Sequence, residues 1–128
     1  MSSRPLLKPQ AVASQQSANG TSVSAVTNIN MISLVSYNVS YTSGVTGNFV
    51  VQGCNDYVNP VGVQYPTLNT GSWVTIPITT PVLATGSAGT ALIEISQTSA
   101  AYVRLLFTDT SGGSNTGSWT ATIAGKVA

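Results

Sequence analysis

The chain has 128 residues, of which four are basic, three are acidic and none is histidine. Charged residues therefore make up 5% of the chain, against roughly a quarter in a typical soluble domain. A net charge of +1 supplies no field that would attract nucleic acid or an anionic membrane surface. The lack of histidine removes the commonest general base and the commonest transition-metal ligand.

The missing charge is replaced by Ser, Thr, Gly, Asn and Gln. A neutral surface of this kind loses little hydration energy when it is buried against a partner, whereas free monomers usually carry more charge to stay soluble. We interpret the composition as that of a protein that works inside an assembly; a secreted or simply Ser/Thr-rich β domain is the alternative. The single cysteine, Cys54, cannot form an internal disulfide, and no signal-peptide pattern or apolar run of about 20 residues is visible.

Residues 1–20 differ from the rest of the chain. They contain Pro5 and Pro9, then small and polar residues, and follow neither a period of two nor one of 3.6. We predict an extended N-terminal arm over 1–20, which a partner would order, followed by one β domain over 21–128; a disordered tail is the alternative. The candidate partner-binding residues of the arm are Arg4, Leu6, Leu7, Lys8 and Val12. Two positive charges are too few for a nucleic-acid-binding arm.

Strand patterns begin after residue 20. In MISLVSYNVSYT the side chains alternate, so that Val35, Tyr37, Val39 and Tyr41 share one face. Further strands are predicted in TSVSAVTN, NFVVQGCN, SWVTIPI, ALIEISQ, AYVRLLFTD and SWTATIAGKV, with Pro77 marking an edge or a strand end. The stretches between them that are rich in turn residues, TTPVLATGSAGT among them, are predicted to be loops.

About seven to eight short strands without helical spacing predict an all-β fold, a β-sandwich of the jelly-roll or immunoglobulin-like kind. The last two strands, joined by the glycine-rich stretch TSGGSNTG, are predicted to form a hairpin. The inward face of this hairpin would hold three residues from each strand: Val103, Leu105 and Phe107 against Trp119, Ala121 and Ile123.

A search for catalytic or ligand-binding groups finds little. Cys54 has no histidine to activate it and is expected to be a small buried apolar residue, and no glycine-rich phosphate loop is present. The three acids, Asp56, Glu94 and Asp109, are few for a pair of catalytic carboxylates or a calcium site. We therefore predict a protein that is not an enzyme, with no catalytic, cofactor-binding or metal-binding residues. An enzyme would require these acids to share one cleft.

The remaining polar and aromatic residues have structural interpretations. Glu94 and Arg104 lie in the middle of successive strands and are predicted to form a cross-strand ion pair. Asp56 follows a strand and is expected to shape a turn by bonding its own backbone. Trp73 and Trp119 are expected to lie in the core, with stacking on a sugar as the alternative.

Four segments carry a resemblance to a known class of proteins. They are GNFVVQGCND, GSWVTI, AYVRLLFTDTSG and GSWTATIAGK, in that order. Together they resemble small β-sandwich proteins of tailed-bacteriophage virions, found as capsid decoration, cement or fibre-base proteins. The resemblance covers Val35 to Lys126 and is a pattern of strand and turn residues. Cys54 stands where the class usually has serine, the segment from Tyr57 to Gly71 is long, and the arm lies outside the match.

The resemblance implies a non-enzymatic structural protein of a phage virion, which decorates or cements the capsid through contacts that bridge neighbouring subunits. The implied partners are the major capsid protein or other virion proteins, with no cofactor, no nucleic acid and no membrane. A homo-oligomer, often a trimer in this class, is expected on the capsid surface after synthesis in the host cytoplasm. A tail or fibre-base component is one alternative. A carbohydrate-binding β-sandwich module, suggested by the Trp and Tyr content, is the other.

Overall fold

The computed structural model describes residues 6–30, 32–57, 71–78, 81–96 and 100–127. These residues form ten β-strands and no helix, which confirms the predicted all-β fold. The strands are β1 (Leu6–Ser17), β2 (Ser22–Val23), β3 (Thr27–Asn28), β4 (Leu34–Tyr41), β5 (Thr46–Cys54), β6 (Val74–Ile76), β7 (Val82–Thr85), β8 (Gly89–Ser96), β9 (Tyr102–Asp109) and β10 (Ser118–Lys126).

The strands are arranged in two antiparallel sheets. Sheet I has the order β1-β10-β4-β8, and sheet II has the order β2-β9-β5-β6, with β3 also paired to β9 and β7 also paired to β5. Each outer strand of sheet II is therefore broken into two short pieces. When each broken strand is counted once, the strands follow the double Greek-key order of a jelly roll, one of the two kinds of sandwich that the sequence predicts.

The core lies between the two sheets and is built from alternate residues of their strands. Val35 and Tyr37 of β4 are at most 2% exposed, as their alternation predicts. The ring centroid of Phe49 on β5 lies 4.9 Å from that of Phe107 and 5.4 Å from that of Trp119. Edge-to-face and tilted contacts of this kind add to the stability that burial alone provides. Trp119 is fully buried and is a core residue, as predicted.

The hydroxyl of Tyr37 is an exception to the good pairing of buried polar groups. It is the one buried side-chain polar atom in the described part of the chain that has no hydrogen-bond partner. Burial raises the pKa of Tyr37 far above its ordinary value, so the phenol is neutral. The ring contributes apolar packing, while the hydroxyl loses its hydration without compensation, and this loss lowers the net stability of the core.

The last two strands do not form the predicted hairpin. β9 lies in sheet II beside β5, and β10 lies in sheet I between β1 and β4, so residues 110–117 cross from one sheet to the other. The predicted inward faces are nevertheless correct, because all six residues are buried. They meet across the sandwich and not across a turn. A connection of eight residues exceeds the usual length of a hairpin loop and leaves room for this crossing.

The boundary predicted after residue 20 is wrong for the described part of the arm. β1 is extended, but it is paired along β10 as an edge strand of sheet I. The pairing register shifts three times between Leu7 and Gln16, and Gln15 has a left-handed backbone with a φ of 46°. These bulges, together with Pro9, remove the period of two by which a strand is recognised in a sequence. Residues 1–5 lie outside the described part of the chain.

Sheet II ends in short strands on the side of β6 and β7. β6 stops at Ile76, directly before Pro77, which agrees with the predicted strand end. β7 lies within the stretch predicted to be a loop, and it pairs with the first half of β5 while β6 pairs with the second half. Prolines at 77 and 81 separate the two pieces because a proline cannot donate to the ladder.

Candidate interaction surfaces

The three acids do not share a cleft. Glu94 lies on the exposed outer face of sheet I, between the buried Ile93 and Ile95. Asp56 and Asp109 lie at opposite ends of sheet II, because Cys54 and Gly47 mark the two ends of the pairing between β5 and β9. Seven residues of strand separate these ends, roughly 23 Å. The arrangement that would have favoured an enzyme is therefore not found.

Arg104 and Glu94 do not form the predicted ion pair. Arg104 belongs to β9 in sheet II and Glu94 to β8 in sheet I. Both side chains occupy the alternate positions that point away from the core, since Val103, Leu105, Ile93 and Ile95 fill the inward positions. They therefore lie on opposite outer faces of the sandwich. The prediction assumed that strands adjacent in the chain pair with each other, and in a jelly roll these two do not.

Arg104 contacts other residues, on the outer face of its own sheet. It is 3% exposed, and its Nε donates a hydrogen bond of 2.9 Å to Oε1 of Gln52, the residue opposite it on β5. The guanidinium carbon lies 4.2 Å from the ring centroid of Trp73, which is a cation–π contact. Burial lowers the pKa of Arg104 without neutralising it, because guanidinium groups stay charged in proteins.

The two ends of the segment between β5 and β6 are joined by hydrogen bonds beside this arginine. The carboxylate of Asp56 accepts two hydrogen bonds of 2.7 Å from Ser72, one from its backbone N–H and one from its hydroxyl. These bonds hold the pKa of Asp56 below its ordinary value. Asp56 therefore closes a long segment, and does not only shape a local turn as predicted. Residues 58–70 lie outside the described part of the chain.

Cys54, the last residue of β5, packs between the two ends of this segment. Its side chain is 6% exposed, as predicted for a small buried residue, and burial raises the pKa of its thiol. Gly71, at the other end of the segment, approaches it and has a left-handed φ of 82°. A Cβ atom added to Gly71 would lie 3.3 Å from the Cys54 sulfur and 3.1 Å from the Trp73 ring nitrogen. A glycine is therefore favoured here by both backbone conformation and close packing.

Three half-buried aromatic residues form what we call the aromatic cluster: Tyr57, Trp73 and Tyr102. Of these, Trp73 contacts Arg104. The ring centroid of Tyr57 lies 6.0 Å from that of Trp73 and 5.4 Å from that of Tyr102, with interplanar angles of 56° and 59°. The rings are therefore not coplanar. Trp73 is not a core residue, which corrects the prediction for that tryptophan. The sugar-binding alternative would need a second exposed ring beside Trp73, and Tyr65, the candidate for it, lies outside the described part of the chain.

The opposite end of the sandwich is held by Asn115, which is 5% exposed. Its amide nitrogen donates to the carbonyl oxygens of Ala18 and Thr46 at 2.9 and 3.0 Å, and to Oδ1 of Asp109 at 3.1 Å. Its oxygen accepts a bond of 2.8 Å from the N–H of Thr46. One side chain thus joins three connections: β1 to β2, β4 to β5, and β9 to β10.

Asp109 completes this end of the molecule. Its carboxylate accepts hydrogen bonds from the backbone N–H of Gly20 at 2.8 Å and of Ser111 at 2.7 Å, and another from the Ser111 hydroxyl. These bonds hold the pKa of Asp109 below its ordinary value, the serine hydroxyl contributing most. Asp109 therefore shapes the turn after β9, and its carboxylate also ties this turn to the chain after β1. Nothing in the pattern of residues signals the role of Asn115.

A groove of about 650 Å³ crosses the end of sheet I where β1 begins. Its lining includes Leu7 and Pro9 of β1, Glu94 of β8 and Lys126 of β10. The groove brings one acid and one base to one surface. Within the described ranges, however, no group of three or more His, Cys, Asp or Glu side chains could hold a metal ion.

The candidate partner-binding residues of the arm have separate locations. Val12 is buried in the core, so its side chain is not available to a partner, which corrects the prediction for this residue. Leu7 is partly buried against the core and lines the groove. Lys8 is exposed on β1. Leu6 belongs to β1, but its side chain lies outside the described part, as does Arg4.

Large apolar side chains are exposed at three places in the described part of the chain. They are Val74 on β6, Leu83 on β7 and Leu92 on β8, at 68%, 61% and 60% exposure. All three belong to outer strands on the same side of the jelly roll, where β6 and β7 border sheet II and β8 borders sheet I. Sequence reasoning missed this side, because the exposure of a leucine depends on the strand order.

Comparison with protein-family models finds no match, and comparison with curated proteins finds none either. The described part of the chain contains no helix with the length and apolar character needed to cross a membrane. A functional assignment therefore has to be argued from composition and from the geometry of the jelly roll.

Proposed function

We propose that this chain is a non-enzymatic structural protein of a phage virion, which decorates or cements the capsid as a homo-oligomer. The observation that carries the proposal is the combination of a jelly roll with a nearly uncharged surface: seven charged residues in 128, of which Arg104 is buried. A jelly roll by itself hosts many functions, so the fold alone would be a weak argument.

The small number of charged residues supports a protein whose surface is in contact with other subunits. A contact of about 1,000 Å² or more requires the loss of hydration over the whole patch, and hydroxyl and amide groups lose less than ions do. The side formed by β6, β7 and β8 adds exposed apolar side chains to this neutral surface. Repeated weak contacts of this kind act together on a closed shell, as multivalent binding allows.

A sedimentation assay with the full chain and empty capsids of the virus that encodes it tests the proposal. We expect saturable co-sedimentation at a constant ratio to the capsid subunit, and the presence of the chain in purified particles. The ratio would identify the symmetry site that the chain occupies. Particles that lack the chain, or particles whose stability and infectivity do not change when it is removed, would refute the decorating role. Chain found only at the tail would identify a tail or fibre-base component.

A carbohydrate-binding module is the second candidate, because the aromatic cluster lies on the outer face of sheet II with half-buried rings. Sugars stack on exposed aromatic faces, but the tilt between these rings offers no flat two-ring platform. A glycan array with the full chain and a Trp73→Ala variant tests this candidate. Binding that the variant loses would favour it, and an array without any signal would exclude it for the glycans present.

A further inference from the structure

The four outer strands of the jelly roll differ in how their edges are formed. β1 contains Pro9 and three register shifts. The outer strands of sheet II are broken into pieces of two to four residues, and prolines flank two of them. β8 alone runs for eight residues against its neighbour β4 without any shift, from Leu34 opposite Ser96 to Tyr41 opposite Gly89.

Prolines, bulges, charges and short strands are the devices by which sheet edges avoid pairing with other chains. β8 has none of the first two and carries a single charge, Glu94. In the described part of the chain no strand pairs with β8 on the side away from β4. Its outward-pointing Leu92 is 60% exposed. Three edges are thus protected and one is left as a regular, nearly neutral template.

We propose that β8 pairs in antiparallel fashion with β8 of a second copy of this chain, across a two-fold axis. Two four-stranded sheets then join into one sheet of eight strands. The inference deepens the proposed function, because it names the contact through which copies associate, but it is tested separately. A second copy fits this edge because a two-fold axis places the open backbone edge of one β8 against the same edge of the other, and apolar side chains opposite each other.

The charge and apolar pattern of β8 selects one register. With Leu92 opposite Leu92 of the second copy, Glu94 lies opposite Thr90 and Ile93 lies opposite Ala91. The two carboxylates then lie four residues apart along the strands, roughly 13 Å. Centring the pair on Ile93 would place Leu92 against Glu94, and centring it on Glu94 would oppose two carboxylates, which is unfavourable.

The contact is expected to be weak in solution. One strand pair with one leucine pair covers less than the roughly 1,200–2,000 Å² of a stable interface. Association should therefore be visible only at high protein concentration, and should become strong where copies are held side by side. The net charge of +1 per chain opposes this approach very little.

Sedimentation equilibrium of the full chain over a wide concentration range tests the proposal. We expect a reversible monomer–dimer equilibrium, weakened about tenfold or more by Leu92→Lys, which would oppose two ammonium groups at the axis. Ala11→Lys is the matched control, because Ala11 is exposed at the opposite edge of sheet I, in the same cross-strand row as Leu92. This control should leave the dimer unchanged, and both variants should keep the wild-type circular dichroism spectrum.

A pair of variants at Thr90 tests the register itself. Thr90→Lys would place an ammonium group opposite each Glu94 and should tighten the dimer by about twofold to thirtyfold at low salt. Thr90→Glu should loosen it, and salt should reduce both effects. The proposal is overturned if the wild-type chain stays monomeric at about millimolar concentration, if Leu92→Lys and Ala11→Lys behave alike, or if both Thr90 variants shift the equilibrium in the same direction.

The outcomes separate this inference from the proposed function. A chain that co-sediments with capsids but stays monomeric would overturn the β8 contact and keep the virion role. A chain that dimerises through β8 but never binds capsids would keep the contact and overturn the decorating role.

Discussion

The two ends of the sandwich hold their connections by different means. At one end, the Asn115 end, a buried neutral amide makes hydrogen bonds to backbone groups of two connections and to the carboxylate of Asp109. At the other, the Arg104 end, the contacts of a buried cation include two side chains, Gln52 on the next strand and the ring of Trp73.

The two ends therefore differ in what a substitution is expected to change. At the Asn115 end, loss of the amide leaves the carbonyl of Ala18 and the N–H of Thr46 without this partner, and this is costly. At the Arg104 end, Trp73 is only partly buried. The two ends of the segment before it are joined by hydrogen bonds between the exposed Asp56 and Ser72. We infer that substitutions at the Asn115 end act on stability, and that those at the Arg104 end act also on the surface offered to partners.

The largest effect is expected from Asn115→Ala. The substitution removes four hydrogen bonds and leaves the carbonyl of Ala18 and both backbone groups of Thr46 without this partner. The free energy of unfolding should fall by about 3 kcal/mol or more, measured by urea denaturation. Asn38→Ala on the exposed face of β4 is the matched control and should change it by less than about 0.5 kcal/mol. Equal effects of the two variants would contradict the special role of the Asn115 end.

A smaller effect is expected from Arg104→Ala, about 2 kcal/mol, from lost packing, the lost cation–π contact and the unpaired Gln52. Trp73 should become more exposed, which a red shift of its fluorescence would report, while Trp119 stays in the core. Arg104→Lys is the informative comparison, because lysine keeps the charge but cannot stack its head group as guanidinium does. If lysine restored full stability, the charge alone and not the stacked geometry would explain the site.

The pH dependence compares the carboxylates of the two ends. Asp109 and Asp56 both have lowered pKa values in the folded chain, because hydrogen-bond donors favour their ionised forms. Each therefore contributes stability that is fully present above the unfolded pKa, about 4, and is lost as the pH falls through the folded pKa. The urea midpoint should accordingly decrease between about pH 5 and pH 2.

Asparagine substitutions assign this loss to one end or the other. Asp109→Asn should flatten the acid limb more than Asp56→Asn does, because Asp109 accepts bonds from three residues and Asp56 from Ser72. Titration of the midpoint for the two variants beside the wild type measures the difference. A larger flattening by Asp56→Asn would show that the Arg104 end is the more firmly held.

The smallest effect is expected midway between the ends. Tyr37→Phe removes a buried hydroxyl that has no partner in the described part of the chain, so the free energy of unfolding should stay the same or rise by up to about 1 kcal/mol. Thermal or urea unfolding measures it, and Tyr41→Phe at a partly exposed position is the control. A clear loss of stability in Tyr37→Phe would mean that its hydroxyl has a water partner that holds the core together.

The strands of the central core could be predicted because their signal is local. The alternation of Val35, Tyr37 and Val39 and the inward faces of β9 and β10 depend only on the period of two within one strand. β1 and β7 were missed for local reasons as well: bulges and Pro9 obscure the first, and β7 is four residues long between turn residues.

Pairing was not predictable, because it is decided by residues far apart in the chain. The predicted hairpin of β9 and β10 and the predicted pair of Glu94 and Arg104 both assumed that successive strands are neighbours. The jelly roll places each of these strands in a different sheet from the strand before it. The partners of Arg104, which are Gln52 and Trp73, and the contacts of Asn115 follow from that order and carry no signature of their own in the sequence.

The position of β10 between β1 and β4 has a consequence for biosynthesis. The ribosome makes the chain from its N-terminus, so the strand that joins β1 to β4 is made after both of them. Until then β1 has no partner in its sheet, β4 has an open edge, and Val12 and Tyr37 are without the neighbours that bury them in the finished core. Folding of sheet I therefore has to wait until β10 has been made, and a nascent chain that still lacks β10 presents two open strand edges to chaperones, proteases and other copies of itself.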